Sequence, residues 1–437
     1  MTLFNRIIRF GLGLALISGV AQASPDIQHW TTNNGAKVYF VEAPELPMVD
    51  IRIMFDAAGS RDTDKSGLAM MTNGLLNEGT DKLNTNEIAE QFDRLGAQFG
   101  AMAFRDMAIV SLRSLTQKDL LDPAVDTLTQ IITHPSFPQA SLDRERKRLL
   151  IALQGKKQSP GALASEAFFQ AIYGDHPYAA EPTGTEESVK SLTRDDLVKF
   201  HQQYYVARNA TVAIVGAVSR QQAKTIIQSI MGELPAGQVP TALAKVKTLK
   251  IPQHISQDFP SSQTHLLIGQ PGMKRNDPDY FPLYLGNHIL GGSGLVSLLS
   301  SEVREKRGLS YSTYSYFSPM RDKGPFIMGL QTRNDQAQQA REVVMQTVQD
   351  FIDKGPTEEQ LKAAKQNLTG GFAMRLDSNR KVTEYVAMTG FYDLPMDYIS
   401  TLLSNFEAVT AEQIKDAFAR RITPETMVTV MVGGKSE

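Results

Sequence analysis

Few side chains in this chain are typed and spaced for chemistry. There is no cysteine, which excludes a thiolate nucleophile, thiolate-held zinc and a haem-attachment motif. The seven histidines are His29, His134, His176, His201, His254, His265 and His288. No two lie within five residues of each other, so no helical turn presents an imidazole pair to a metal. His176 stands in a His-Pro turn and reads as structural. No Gly-x-Ser-x-Gly elbow occurs. Ser378 to Lys381 fits Ser-x-x-Lys, but the Ser-Asp-Asn and Lys-Thr-Gly companions are missing, so the match is chance. Gly434-Lys435-Ser436 is no phosphate loop, because Thr429 stands at the earlier glycine position and no helix follows. Met70, Met71 and the other methionines read as core filler.

The elements that must position any site come next. The chain has 437 residues, enough for two or more cores. Hydrophobic content of 42% and charged content of 21% describe a globular protein. Net charge is −2 with pI near 6.4, and no Lys/Arg run forms a basic patch, so no nucleic-acid partner is expected. Residues 1–23 look like a signal peptide. Arg6 and Arg9 precede the apolar run Phe10 to Val20, and Ala21-Gln22-Ala23 is a small-x-small cleavage site. A retained anchor is the alternative. Cleavage after Ala23 changes the charge to −2 − 2 = −4. No later stretch is long and apolar enough for a membrane span. Export to a bacterial periplasm is the expected localisation, with no disulfide to help hold the fold.

Asn34-Gly35 between apolar runs signals a hairpin. Met48 to Phe55 alternates like a half-buried strand. Helices are expected over Asn84 to Leu95, Asp122 to Ile132, Asp143 to Gln154 and Leu163 to Tyr173, with a strand over Met107 to Leu115. Thr193 opens a helix through Tyr204, and Asn209 to Val218 is a strand. The same ending recurs: Thr410 to Gln413 is a capping box, and Met427 to Gly433 is a closing strand. Thr410 − Thr193 and Gly433 − Gly216 both equal 217, so the helix-plus-strand ending repeats in register. Two equivalent halves follow, over 24–218 and 262–437, joined by a proline-containing linker over 219–261. Strand pairs alternate with helices in each. The expected fold class is α+β, with two homologous halves, each a mainly antiparallel sheet with helices packed on one face, forming a clamshell.

Several pieces share one order and spacing. They are Gly59-Ser60-Arg61-Asp62, the stretch Gly67-Leu68-Ala69 to Gly79-Thr80, His176-Pro177-Tyr178 and Gly184 to Val189. Tyr205 to Asn209, Leu290 to Gly294, and Leu298 to Tyr311 complete the set. Together they resemble the pitrilysin-like (inverzincin) peptidases, the family of the mitochondrial processing peptidase, over nearly the whole mature chain. In that family the Gly-Leu-Ala start and Gly-Thr end flank His-x-x-Glu-His, two imidazoles for zinc and a carboxylate to activate water. Here Met70, Asn73 and Gly74 occupy those positions. The family's distal Glu ligand should fall near Leu150 to Leu153, where no carboxylate stands, and Glu145 upstream reads as a solvated helix residue. The resemblance therefore implies a peptidase scaffold that binds no metal itself.

In active members of that family the second half folds over the first, and an Arg/Tyr segment approaches the scissile peptide at the zinc. Arg304 to Tyr311 resembles it, with Arg304 late in a helix, Gly308 ending that helix and Tyr311 on the following strand. A guanidinium and a phenol can donate hydrogen bonds to a tetrahedral oxyanion without deprotonation, and one such donor is worth roughly 10²–10³ in rate. Locally, Arg304 also suits a helix C-terminus and Tyr311 suits simple packing. The resemblance implies a non-catalytic subunit of an exported heterodimeric zinc peptidase, with zinc on a homologous partner chain and extended peptides as substrates. The rival is an inactive peptide-binding or scaffold protein of the same fold. An autonomous zinc peptidase is contradicted by Met70, Asn73 and Gly74. Gly286 to Gly294 reads as a structural turn, with substrate handling as the alternative.

Overall fold

A computed structural model describes residues 25–434. The expected signal peptide lies outside the described residues, as do Lys435 and Ser436. β1 (Gln28–Thr31) and β2 (Lys37–Glu42) form the hairpin expected at Asn34-Gly35, with Gly35 at φ 104. The Asn34 amide donates to the Met231 and Leu234 carbonyls at 2.6 and 2.9 Å, which pins the turn. β3 (Met48–Phe55), β4 (Gln98–Ala103), β5 (Ala108–Leu115) and β6 (Ala210–Gly216) complete a sheet ordered β1-β2-β6-β3-β5-β4. The second sheet contains β7 (Gln253–Asp258), β8 (Gln263–Pro271), β9 (Thr313–Phe317), β10 (Pro325–Arg333) and β11 (Val428–Gly433). Its order is β7-β11-β8-β10-β9.

Leave out β1 and the two orders are the same. Each sheet is antiparallel except for one parallel pair, β2 with β6 and β7 with β11. Lys37 pairs with Thr211 and Gln253 with Val428, and 428 − 211 is again 217. The repeat seen in the closing helix and strand thus extends through both sheets.

Between the first-half strands run α1 (Leu68–Gly74), α2 (Thr85–Leu95), α3 (Lys118–Thr133), α4 (Gln139–Lys156), α5 (Pro160–Tyr173), α6 (Glu186–Ser191) and α7 (Arg194–Tyr204). α8 (Arg220–Gly232) follows β6. The second half carries α9 (Tyr280–Asn287), α10 (Ala337–Lys354), α11 (Glu358–Gly370), α12 (Asn379–Phe391), α13 (Tyr398–Ala408) and α14 (Ala411–Arg421). The equivalent helices α7 and α14 both begin at capping boxes, Thr193 with Asp196 and Thr410 with Gln413. One face of the first sheet buries Phe40, Ile51, Ile53, Val212 and Ile214 among Ile88, Leu128 and Ile227 of its own helices.

The second face of each sheet is covered by a helix from the other half. α12 lies on β2, β3 and β6, packing Val386 and Ala387 toward Tyr39, Met54, Ala213 and Val215. α5 lies on β8 and β11, packing Ala164, Phe168 and Ile172 toward Val428, Val430 and Val432. This exchange explains why β3, expected to be half-buried, is buried along nearly its whole length. The exposed interhalf ion pairs Lys37–Asp393 (2.7 Å) and Arg52–Glu384 (3.4 Å) are worth about 0–1 kcal/mol each. Each fully buried Phe or Ile contributes about 1.5–3 kcal/mol, so the apolar faces hold the clasp.

The connection between halves is narrower than the expected 219–261. α8 buries Ile226, Ile227, Ile230 and Met231 in the first core, and β7 belongs to the second sheet. Irregular chain covers only 233–252, and even this is tied down. His176 Nδ1 accepts the Tyr178 N–H, which leaves Nε2 to donate to the Ala244 carbonyl at 2.8 Å. His176 is therefore a structural histidine. At the end of α12, Tyr392 donates to the buried Asp106 carboxylate (2.9 Å), and the Arg321 N–H donates to the same oxygen (3.1 Å).

Three substitutions, at Gly390, Gly155 and Asp106, test this packing. A Cβ on Gly390 would lie 2.2 Å from the Tyr39 ring, whereas one on Gly155 would meet nothing within 4 Å. Gly390→Ala should lower stability by about 1–3 kcal/mol through overpacking. Gly155→Ala should raise it by up to about 1 kcal/mol through helix propensity. Thermal melts of the two variants check both signs. Burial also raises the Asp106 carboxyl from 3.8 to about 6. Across that window the folded state keeps a proton that the unfolded chain releases, so Asp106 costs stability as pH rises. The melting temperature of Asp106→Asn relative to the native protein should therefore rise between pH 4 and pH 7.

Candidate functional site

α1 is the helix in which the family resemblance places the metal motif. Its N-terminus is fixed by Asp62, whose carboxylate accepts the Gly67 and Ala69 N–H groups, both at 2.7 Å. Burial pushes the Asp62 carboxyl up to about 7. The helix lies against α7 and the edge strand β4.

The three motif positions carry no metal-binding set. Asn73 is 1% exposed, and its Nδ2 donates to the Tyr205 hydroxyl (3.0 Å) and the Ile109 carbonyl (3.3 Å). Where a catalytic carboxylate is expected, an amide is locked into the core. Tyr205 is itself stacked on His201 (5.0 Å between rings), and His201 bonds the Ile132 carbonyl at 2.8 Å. Burial holds His201 down near 4, so it is neutral at ordinary pH. Met70 is half-buried, and a Cβ at Gly74 would find open space. On α4, at the expected distal position, Ile151 is 73% exposed and supplies no donor. Glu145, expected to be solvated, is half-buried and paired with Arg148 at 2.9 Å. Among the described residues no three His, Asp or Glu side chains are grouped to hold a metal ion. A thioether, a core-bound amide and a hydrogen do not fit zinc, and no chemical step is assigned to a metal on this chain.

Arg304 and Tyr311 are brought to each other. Arg304 sits on a π-helix, Ser300–Glu305, rather than late in an α-helix. The wider turn is of the kind often found at functional sites. The Gly308 N–H donates to the Arg304 carbonyl (2.9 Å), and Gly308 at φ +61 turns the chain. Tyr311 lies in the bend just before β9, not on the strand where it is expected. The Arg304 guanidinium stands 4.6 Å from the Tyr311 ring centre. Tyr311 is 83% exposed, and among the described residues no carboxylate pairs with Arg304. The neighbouring cations Lys306 and Arg307 are both taken by Glu302 (2.6 and 2.7 Å). An adjacent cleft of about 440 Å³ is lined by Tyr311, Tyr314, Tyr316, His265, Ile327 and Gln331.

The glycine stretch before this segment packs closely. A second π-helix, His288–Gly292, runs against β9, and a Cβ on Gly291 would collide with Ser315 at 2.4 Å. Beyond it Leu295 and Val296 face solvent.

Among the described residues no hydrogen bond, ion pair or ring contact joins Arg304 or Tyr311 to Met70, Asn73 or Gly74. One further feature was not anticipated from sequence. Among the described residues β4 pairs only with β5, which leaves its other edge open beside α1, and Met102 and Phe104 are exposed on it and just after it. The alternation Phe99, Ala101, Ala103 was its available but faint signal.

Residues 37–186 match the family described as Insulinase (Peptidase family M16), and residues 191–368 match Peptidase M16 inactive domain. A crystal structure of the peptidase M16 inactive domain from Pseudomonas fluorescens is 39% identical. It covers 94% of this chain and 99% of that one, with a TM-score of 0.91. The Helicobacter pylori protein named non-peptidase homolog YmxG is 26% identical, over 92% of this chain and 94% of its own. The mitochondrial-processing peptidase subunit beta of Lentinula edodes is 22% identical, over 85% of this chain and 82% of its own. With sequence and fold in agreement along both halves, the chain belongs to peptidase family M16, the insulinase and pitrilysin family.

Proposed function

We propose that this protein is the non-catalytic subunit of a heterodimeric M16 peptidase. It is exported by its signal peptide to the periplasm, and its partner is a homologous chain that carries the zinc. The observation that carries the reading is a division within one molecule. The motif helix carries no zinc-binding set, while Arg304, half-buried, and Tyr311, 83% exposed, are assembled, and among the described residues no carboxylate pairs with Arg304. Ornamental surface arginines are usually solvated or paired. This one is held over a ring by a π-helix beside an aromatic cleft.

In the assembled pair an extended peptide adds as a strand to an open sheet edge. Main-chain hydrogen bonds then give affinity with modest side-chain demands. Arg304 and Tyr311 donate to the carbonyl oxygen as it gains charge at the partner's zinc. The relative from Lentinula edodes is named a subunit, which supports assembly with a second chain. A second reading, a peptide-binding or scaffold protein without any catalytic part, draws on the name non-peptidase homolog given to the Helicobacter pylori relative.

Two outcomes are expected. Treating the purified chain with a strong chelator should leave its melting temperature unchanged, because the described residues group no three His, Asp or Glu side chains to hold a structural metal. In the reconstituted pair, Arg304→Ala or Tyr311→Phe should lower kcat by roughly 10²-fold, with the complex still forming on a sizing column. Unchanged turnover in both variants would remove the catalytic role and leave the scaffold reading.

A further inference from the structure

Where the two halves and their connecting chain meet there is a cavity of about 580 Å³. It lies apart from the residues of α1 and from the Arg304 segment. Its walls come from the ends of β2 and β6, the turn before β10, the end of α12, and residues 239–245 of the connection. Its charge is lopsided. Two of its cations are matched: Lys37 by Asp393 (2.7 Å), and Arg61 by both oxygens of Asp56 (2.5 and 2.8 Å). Arg208, Lys245, Lys274, Arg275 and Arg321 also line it. Among the described residues no carboxylate stands within ion-pair distance of the first four. Among the described residues Arg321 makes one ion pair, with Asp56 at 3.8 Å, which Arg61 already holds. The remaining wall acid, Asp322, is engaged by the Val246 and Lys323 N–H groups at 3.0 and 2.7 Å.

Arg275 is the most telling of these cations. Its guanidinium stands 5.6 Å from the Tyr392 ring centre and 6.0 Å from that of Tyr280, and its Nη1 donates to the Tyr280 hydroxyl at 3.3 Å. Its Nε is buried with no hydrogen-bond partner among the described residues. A half-buried guanidinium with one buried donor unused, sharing its cavity with other cations, is costly unless an anion joins it. The protein as a whole is slightly acidic, so this concentration of cations is local. Leu243, Met320 and Phe391 give the cavity an apolar side as well.

We infer that the cavity is a binding site for a small molecule carrying two or more negative charges, of phosphate or carboxylate type. Planar guanidinium forks suit both groups, and the lysines add charge without fixing geometry. A bound anion would touch both halves and residues 239–245 together, joining the connection to the clasp.

The test is calorimetric titration of the purified protein at low ionic strength with inorganic pyrophosphate and, separately, with citrate. The expected result is one saturable site for at least one of them, weakened by added salt. The tighter of the two identifies the head group. Kd should rise at least about tenfold in Lys274→Gln and in Arg275→Gln, the loss of one charge-assisted contact. It should not change in Lys362→Gln, on the exposed side of α11 and away from the cavity. Hydrogen exchange in residues 239–245 should slow when the site is filled. Lys274 is half-exposed, so its variant is expected to fold even if Arg275→Gln does not. Absence of saturable binding by both anions would overturn the inference. So would equal affinity in Lys274→Gln and the native protein, because binding would then be to the general surface.

Discussion

The structure depends on the exchange of α5 and α12 between the halves. A sheet with helices on one face leaves its other face in water, and here each half covers that face for its neighbour. Phe168 and Ile172 of the first half end among Val428, Val430 and Val432, and Val386 of the second ends against the first sheet. Neither half can leave without exposing both surfaces. At about 25 cal/mol per Å² of apolar surface, no plausible ligand contact within one chain would offset that loss. The two halves therefore behave as one body. Arg304 and Tyr311 cannot swing to α1 of their own chain, which is why the proposed function places the zinc on a second chain.

The changes in α1 go beyond the removal of ligands. In the family resemblance, position 73 is a carboxylate that works on water. Here Asn73 is turned into a core link through Tyr205, with His201 stacked behind it and kept neutral by burial. Each such neutral hydrogen bond is worth about 1 kcal/mol net. The helix keeps its place beside β4 through the buried Asp62 cap, so the surface on which a substrate strand would lie survives the loss of the metal set. That surface, together with the Arg304–Tyr311 pair, is what favours the proposed subunit role over a scaffold.

Much of this was legible in the sequence because it is written in local signals. The capping boxes at Thr193 and Thr410, the Asn34-Gly35 turn and the 217-residue offset are patterns of a few residues each, and each is present in the fold. The absence of metal ligands at Met70, Asn73 and Gly74 could be read directly from side-chain chemistry. Other features depend on partners far away in sequence. β3 alternates in sequence like a half-buried strand, yet α12 from more than three hundred residues later covers its second face. The linker looked longer than it is because the hydrophobic pattern of α8 follows a strand that seemed to end the half. The position of Tyr311 in a bend, the π-helix under Arg304, and the buried Arg275 Nε without a hydrogen-bond partner among the described residues all arise from tertiary packing, for which a single sequence carries no periodic signal.

The central claim is that a second, zinc-bearing chain completes the site. It is tested most directly by affinity purification of the mature protein from its native extract, followed by mass spectrometry and metal analysis. The account predicts a stoichiometric homologous chain carrying His-x-x-Glu-His, with about one zinc per pair and none on this chain alone. Recovery of this protein only as a monomer or homodimer, with no such chain, would contradict it.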